Sequence, residues 1–396
     1  MDSTSIKNTL VNASSESVIV LLHLYAYLTW TGYTGSKFPV LIFLSILALI
    51  VVMKYISVRI TDVFLFSIPL FSLLAISLTT RFFDIYALVQ IGFTFLLILF
   101  FTAYFMSGRA NYLVRYVAFN IVVFFVGWLE VGGYNKVWIW SHLNPNVMGF
   151  FMSLNLMMLL SYIKASGSHL VKLTVLILSS FAVLLIIVST ARSVWLSVLV
   201  FVFLYYIFRE RVLDRSFFNS VSLLFFVSLF FFPLLYVYLS ESSFGIEIDT
   251  ALMAATDKGL FTGREMIWNK MYEALEGSLF WGLGMGASNY DIGMSVSSHS
   301  LYMNLLFQFG IFGLLFFILM VISILNLSVR NLDNAFDNKN KFARSKDASL
   351  IGLFLISLLV QQSFELFLFQ NNLPASFLFW CGLVLYYSQT YKNYRK

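Results

Sequence analysis

The chain has 396 residues, of which 60% are hydrophobic and 11% charged, with a formal net charge of +6. Soluble domains carry about 25% charged residues, so this composition excludes an ordinary soluble protein and points to an all-α polytopic membrane protein. The positive balance reads as Lys- and Arg-rich cytoplasmic loops, not as a nucleic-acid footprint, and the single Cys381 excludes a disulfide within the chain.

The first segment, "MDSTSIKNTLVNASSES", is polar with one lysine. No basic region feeds a short apolar core there, so the first span is expected to stay as an anchor. Twelve apolar spans follow in order, at roughly 17–30, 38–58, 62–79, 84–106, 112–130, 146–164, 170–189, 193–208, 217–240, 300–329, 348–368 and 374–390, most of them long enough to cross a hydrocarbon core of about 30 Å. The tenth is long and is expected to break near Gly310 and Gly313. This divides the chain into spans one to nine over 1–240, a large loop over 241–298, and spans ten to twelve with a tail over 299–396.

With both termini in the cytoplasm, 18 of the 25 basic residues fall inside and 7 outside. That is the bias the positive-inside rule expects, and it puts the large loop outside. Loops of this length are usually functional or disordered. Trp268, Trp281, Tyr272 and Phe280 argue against disorder. Thr262 followed by Glu265 has the spacing of a capping box, and Met266, Ile267, Lys270, Met271 and Leu275 recur at helical spacing up to Gly277. One short amphipathic helix is expected over about 263–276, at the outer membrane surface.

Three patterns on this face carry possible chemistry. "STARSVW" places Arg192 at the turn between spans seven and eight, where a charge usually has a partner. "TGREMIW" places Arg264 in the first turn of the loop helix, where the cation opposes the helix dipole but, with the free N–H groups, forms an anion site. "SSHSLYMN" places His299 at the border of span ten. Each has an ordinary alternative: Arg192 capping carbonyls or snorkelling to the interface, Arg264 pairing with an acid of its own loop, and His299 as a satisfied interfacial residue. Elsewhere, "WSHLNPNVMGF" carries His142, Asn144 and Asn146 around a proline turn, where the asparagines also suit helix capping. "GLGMG" reads as a flexible bend, because no strand precedes it and no P-loop lysine follows. Glu365, in "QQSFELFLFQNN" late in span eleven, pairs with an outside arginine or sits at the interface. No HExxH pattern or His–Cys cluster is present, so no metal site is implied.

In this order, "STARSVW", "TGREMIW", "SLFWGLGMGASNY" and "SSHSLYMNLLFQFGIFG" resemble the motifs of the O-antigen ligase and Wzy-type polymerase superfamily over Ser189 to Gly313. There is one departure: the family histidine is usually followed by asparagine, and here Ser300 follows His299. The resemblance implies a GT-C-like membrane glycosyltransferase of the bacterial inner membrane that works without cofactor or metal. Undecaprenyl-pyrophosphate-linked glycans would be its donor and acceptor. A chain-length regulator and a flippase are the implied partners, with membrane lipid around the protein. Arginine suits multidentate contact with phosphate, which makes Arg192, Arg264 and, more weakly, Arg81 the pyrophosphate clamp. A neutral imidazole that takes the acceptor hydroxyl proton contributes typically about 10²–10⁴-fold, the role implied for His299. Ser300, Tyr302, Trp268 and Asn146 are further substrate-binding candidates. The expected activity is polymerisation of surface-polysaccharide repeat units. The alternatives are a ligase that moves the finished glycan to lipid A core, and a flippase for the lipid-linked unit; a flippase would be expected to line a path with charges at mid-membrane.

Overall fold

The computed structural model describes residues 16–22, 46, 48–49, 82, 84–106, 111–130, 145–163, 168–208, 215–256, 259–261, 263–333, 351–366, 376 and 378–385. Among these no strand occurs, and the fold is all-α. The helices are α1 (Ile85–Met106), α2 (Asn111–Glu130), α3 (Pro145–Ile163), α4 (His169–Val188), α5 (Arg192–Phe208), α6 (Arg215–Glu241), α7 (Ser243–Thr256), α8 (Arg264–Ala274) and α9 (Leu301–Asp333), with a 3₁₀ turn at Asn289–Ile292. They are followed by α10 (Ile351–Gln361) and α11 (378–385). Most of the first three expected spans, and Arg81 with them, lie outside the described residues.

Expected spans four to ten coincide with α1–α6 and α9 to within a few residues, because their limits are set by local changes from apolar runs to polar turns. Among the described residues, three stretches, in α4, α6 and α9, are long and apolar enough to cross a membrane. In α9 67% of the most apolar window is buried, against 33% in α4 and 27% in α6. Helix α9 is therefore a central element, while α4 and α6 present broad apolar faces outward. Helix α3 packs on α2, α4 and α5, and α9 packs on α6. Between α2 and α3, Asn120 donates to Asn155 at 3.2 Å, and Asn155 donates to Phe151 O at 2.7 Å. Such interhelical polar pairs join helices where apolar contact alone discriminates poorly.

The break in α9 falls at Gly310, with φ 66° and ψ −167°. The carbonyls freed there are taken up by the "GLGMG" stretch: Leu283 N–H donates to Phe307 O at 2.9 Å and Gly284 N–H to Gln308 O at 2.9 Å. On the far side of the break, Ile311 N–H donates to Leu279 O at 2.9 Å. A Cβ at Gly310 would stand 2.3 Å from the Phe280 backbone, and one at Gly282 2.5 Å from that of Gln308. "GLGMG" is thus a pinned bend and not a flexible one. Glycine is required because two backbones meet without room for a side chain.

Two expectations for the loop over 241–298 change. It holds a second helix, α7, besides α8. Helix α8 begins after Gly263, whose φ is 83°, with no side-chain cap. The expected Thr262–Glu265 capping box is replaced: the N-cap is Gly263, whose N–H donates to Glu265 Oε1 at 3.1 Å, and Thr262 lies outside the described residues. Nor does α8 merely rest at a surface. Ile267, Trp268 and Met271 are buried, and the rings of Tyr236 and Trp268 lie 5.1 Å apart, which anchors α8 on α6. A third change concerns span eleven. Helix α10 ends at Gln361, and residues 362–364 form a turn, so Glu365 lies beyond the helix and not within a span.

Candidate active site

The turn after α10 gathers three other elements. Leu301 N–H, the first of α9, donates to Gln362 O at 2.8 Å and to Glu365 O at 3.2 Å. Tyr302 Oη donates to Leu359 O at 2.8 Å. Arg264, at the start of α8, donates from Nη2 to Phe364 O at 3.2 Å and lies 5.7 Å from the centre of the Phe364 ring. Asn146, at the start of α3, donates from Nδ2 to Glu365 Oε1.

Glu365 is the centre of the cluster. Its Oε1 lies 3.9 Å from Arg264 Nη2, and its Oε2 lies 3.8 Å from His299 Nδ1. The carboxylate side chain is 4% exposed, Arg264 20% and His299 36%. A buried carboxylate needs cations or donors to offset its lost hydration, and here two elements and a loop supply them. The imidazole is the most open member of the group and so the one placed to meet a ligand.

His299 has φ 46°, the left-handed region that costs a non-glycine residue roughly 1–2 kcal/mol. Its neighbours impose this geometry. Ser298 and Ser300 are buried, Ser300 Oγ accepts the Met303 N–H at 3.3 Å as a helix cap, and Trp268 Nε1 donates to Ser298 O at 2.7 Å. Below the site, the ring centres of Phe232 and Phe364 are 4.9 Å apart, so α6 supports the same turn. Burial pushes the Tyr272 phenol above its ordinary range, which leaves it protonated and unsuited to accept a proton.

The structure brings together His299, Arg264 and Asn146. Trp268, Tyr302 and Ser300 adjoin them, but these three are buried and their polar groups bond to the protein itself. Arg192 stands apart. It is exposed, its Nη1 reaches Gly259 O at 3.5 Å, and among the described residues it makes no ion pair with the Glu365 cluster. It borders a shallow, mainly apolar groove of about 450 Å³ lined by Ile187, Thr190, Trp195, Leu196 and Leu199. Arg81 lies outside the described residues. Glu365, read from sequence as either a partner for an outside arginine or an interfacial acid, is the member whose central place was missed; the signal was an acid in an apolar stretch. Among the described residues no three His, Cys, Asp or Glu side chains converge as metal ligands would.

Residues 174–318 match the family model described as O-antigen ligase, Wzy_C. The match covers this segment and supports a place in the O-antigen ligase and Wzy superfamily. It runs from Thr174 in α4 to Ile318 in α9 and contains Arg192, Arg264, Trp268, His299, Ser300 and Tyr302. Asn146 and Glu365 lie on either side of it, so the O-antigen ligase segment supplies the cation and the imidazole while flanking helices supply the carboxylate and its amide partner. No curated protein matches the chain.

Proposed function

We propose that the protein is an inner-membrane glycosyltransferase that joins undecaprenyl-pyrophosphate-linked repeat units of a surface polysaccharide on the periplasmic face. The observation that carries this reading is the cluster of imidazole, guanidinium and buried carboxylate at the start of α9, assembled around a segment of the O-antigen ligase superfamily. The acceptor hydroxyl is a weak nucleophile. Its proton passes to the neutral imidazole of His299 as its oxygen bonds to the anomeric carbon, and the lipid pyrophosphate departs with the electron pair of the broken C–O bond. Arg264 at the rim of the cluster and Arg192 beside its apolar groove supply positive charge for the leaving group. The groove is a seat for the polyprenyl chain. Trp268, Tyr302 and Ser300 act as framework that holds His299 in place.

A second reading is favoured by the description of the matched family: a ligase that transfers the glycan from the same carrier to lipid A core. Gene deletion separates the two. Loss of a polymerase leaves core bearing one repeat unit, because ligation continues. Loss of a ligase leaves bare core and strands polymer on its carrier. The expected phenotype is the single unit; bare core with carrier-linked polymer would establish the ligase. Glycosidic bond formation by purified protein from a lipid-linked oligosaccharide tests the transferase class itself.

A further inference from the structure

We propose that Glu365 is a positioning residue for the transfer step, orienting the His299 imidazole and holding the Arg264 guanidinium at the same rim. The inference deepens the transferase reading and rests on it.

Exposure separates the roles. At 4% side-chain exposure Glu365 is enclosed, whereas His299 at 36% is open. The carboxylate therefore acts through the imidazole and is not itself the group that meets the acceptor. Its two oxygens are divided between partners: Oε1 faces Asn146 and Arg264, and Oε2 faces His299 Nδ1. The backbone couples the two residues as well, since the N–H of Leu301, two residues after His299, is bound to Glu365 O. A shift of the Glu365 turn thus moves the start of α9 and the histidine before it.

The 3.8 Å from Oε2 to Nδ1 exceeds a hydrogen bond, but catalytic contacts are often long until substrate is bound. With Nδ1 protonated toward Glu365, Nε2 presents its lone pair to the acceptor. The acceptor proton moves to Nε2, the acceptor oxygen bonds to the anomeric carbon, and the pyrophosphate oxygen leaves with the old bond pair. The resulting imidazolium stands beside the Glu365 carboxylate, which stabilises it, and then releases its proton to water.

The test is steady-state transfer from a lipid-linked donor by the purified full-length protein with Glu365→Gln, Glu365→Asp and Glu365→Ala. Glutamine preserves the size and the acceptor for Asn146. It offers an N–H to His299 Nδ1, however, which favours the tautomer with its proton on Nε2 and blocks the base. The expected result is a kcat lower by about 10²-fold or more in Glu365→Gln, with KM for the donor within about threefold of wild type. Glu365→Asp should keep a kcat at least about tenfold above Glu365→Ala, because the charge is retained. Thermal unfolding in detergent accompanies each assay, and the isosteric glutamine variant carries the test if alanine fails to fold. A near-normal kcat in Glu365→Gln, equal kcat in the aspartate and alanine variants, or losses of kcat that merely track loss of folded protein would each overturn the positioning role while leaving the transferase reading intact. Absence of any bond formation by wild type would remove the transferase reading, and this inference with it.

Discussion

Asn146 donates a hydrogen bond to Glu365 across 219 residues of chain. That bond ties the start of α3 to the turn after α10, and through Glu365 to Arg264 and His299. Removing the amide leaves a buried carboxylate with one donor fewer. Asn146→Ala is expected to lower stability by about 1–3 kcal/mol, and Asn146→Asp to do so more strongly, since two carboxylates would then face each other. Thermal unfolding of the purified variants checks this; an unchanged unfolding temperature in both would show that Glu365 does not need the amide.

His299→Ala should insert and express normally but lose roughly 10²–10⁴-fold in transfer. His299→Gln should be nearly as inactive, since an amide cannot accept the proton. Glycan chain length in membranes of cells carrying each variant reports the loss. Abundant long-chain product from His299→Ala would remove the base assignment.

The two arginines differ in setting, and the same substitution distinguishes them from interfacial cations. Lysine keeps the charge but lacks the planar fork. Arg264→Lys and Arg192→Lys should each lose about tenfold or more in transfer, as weaker donor binding or slower turnover. Arg264→Lys should also loosen the turn at Phe364 that the guanidinium now binds. Full activity in both variants would make the arginines structural.

Gly310→Ala tests the docked break in α9. The position has φ 66°, and an added Cβ would meet the Phe280 backbone at 2.3 Å. The expected cost is about 2–4 kcal/mol, read as a lowered unfolding temperature together with loss of transfer. A stable and active variant would mean that the break is not required.

The expected topology rests on the 18-to-7 division of basic residues. A cysteine at Ser243 or Ser297 should react with an impermeant thiol reagent added outside intact spheroplasts, and one at Ser345 should not. Buried Cys381 gives the background. The opposite labelling pattern would put the Glu365 cluster on the cytoplasmic face.

What the sequence by itself determined was local. Apolar runs bounded by polar turns set the limits of α1–α6 and α9, since a helix interrupts where its own residues change character. The glycines of "FQFGIFG" announced the break in α9, and the order of "STARSVW", "TGREMIW" and "SSHSLYMN" carried the superfamily, because those signals are each confined to a few neighbouring residues. The tertiary structure decided what no local window contains. Glu365 and Asn146 read alone as an interfacial acid and a capping amide; they become parts of one site only because α3, α8, α9 and the turn after α10 converge. Trp268, Tyr302 and Ser300 read equally well as ligand contacts until packing enclosed them. A side chain's type and spacing state what chemistry it offers, while its role depends on which distant backbone comes to lie against it, a matter settled by the burial and hydrogen bonding of the whole bundle.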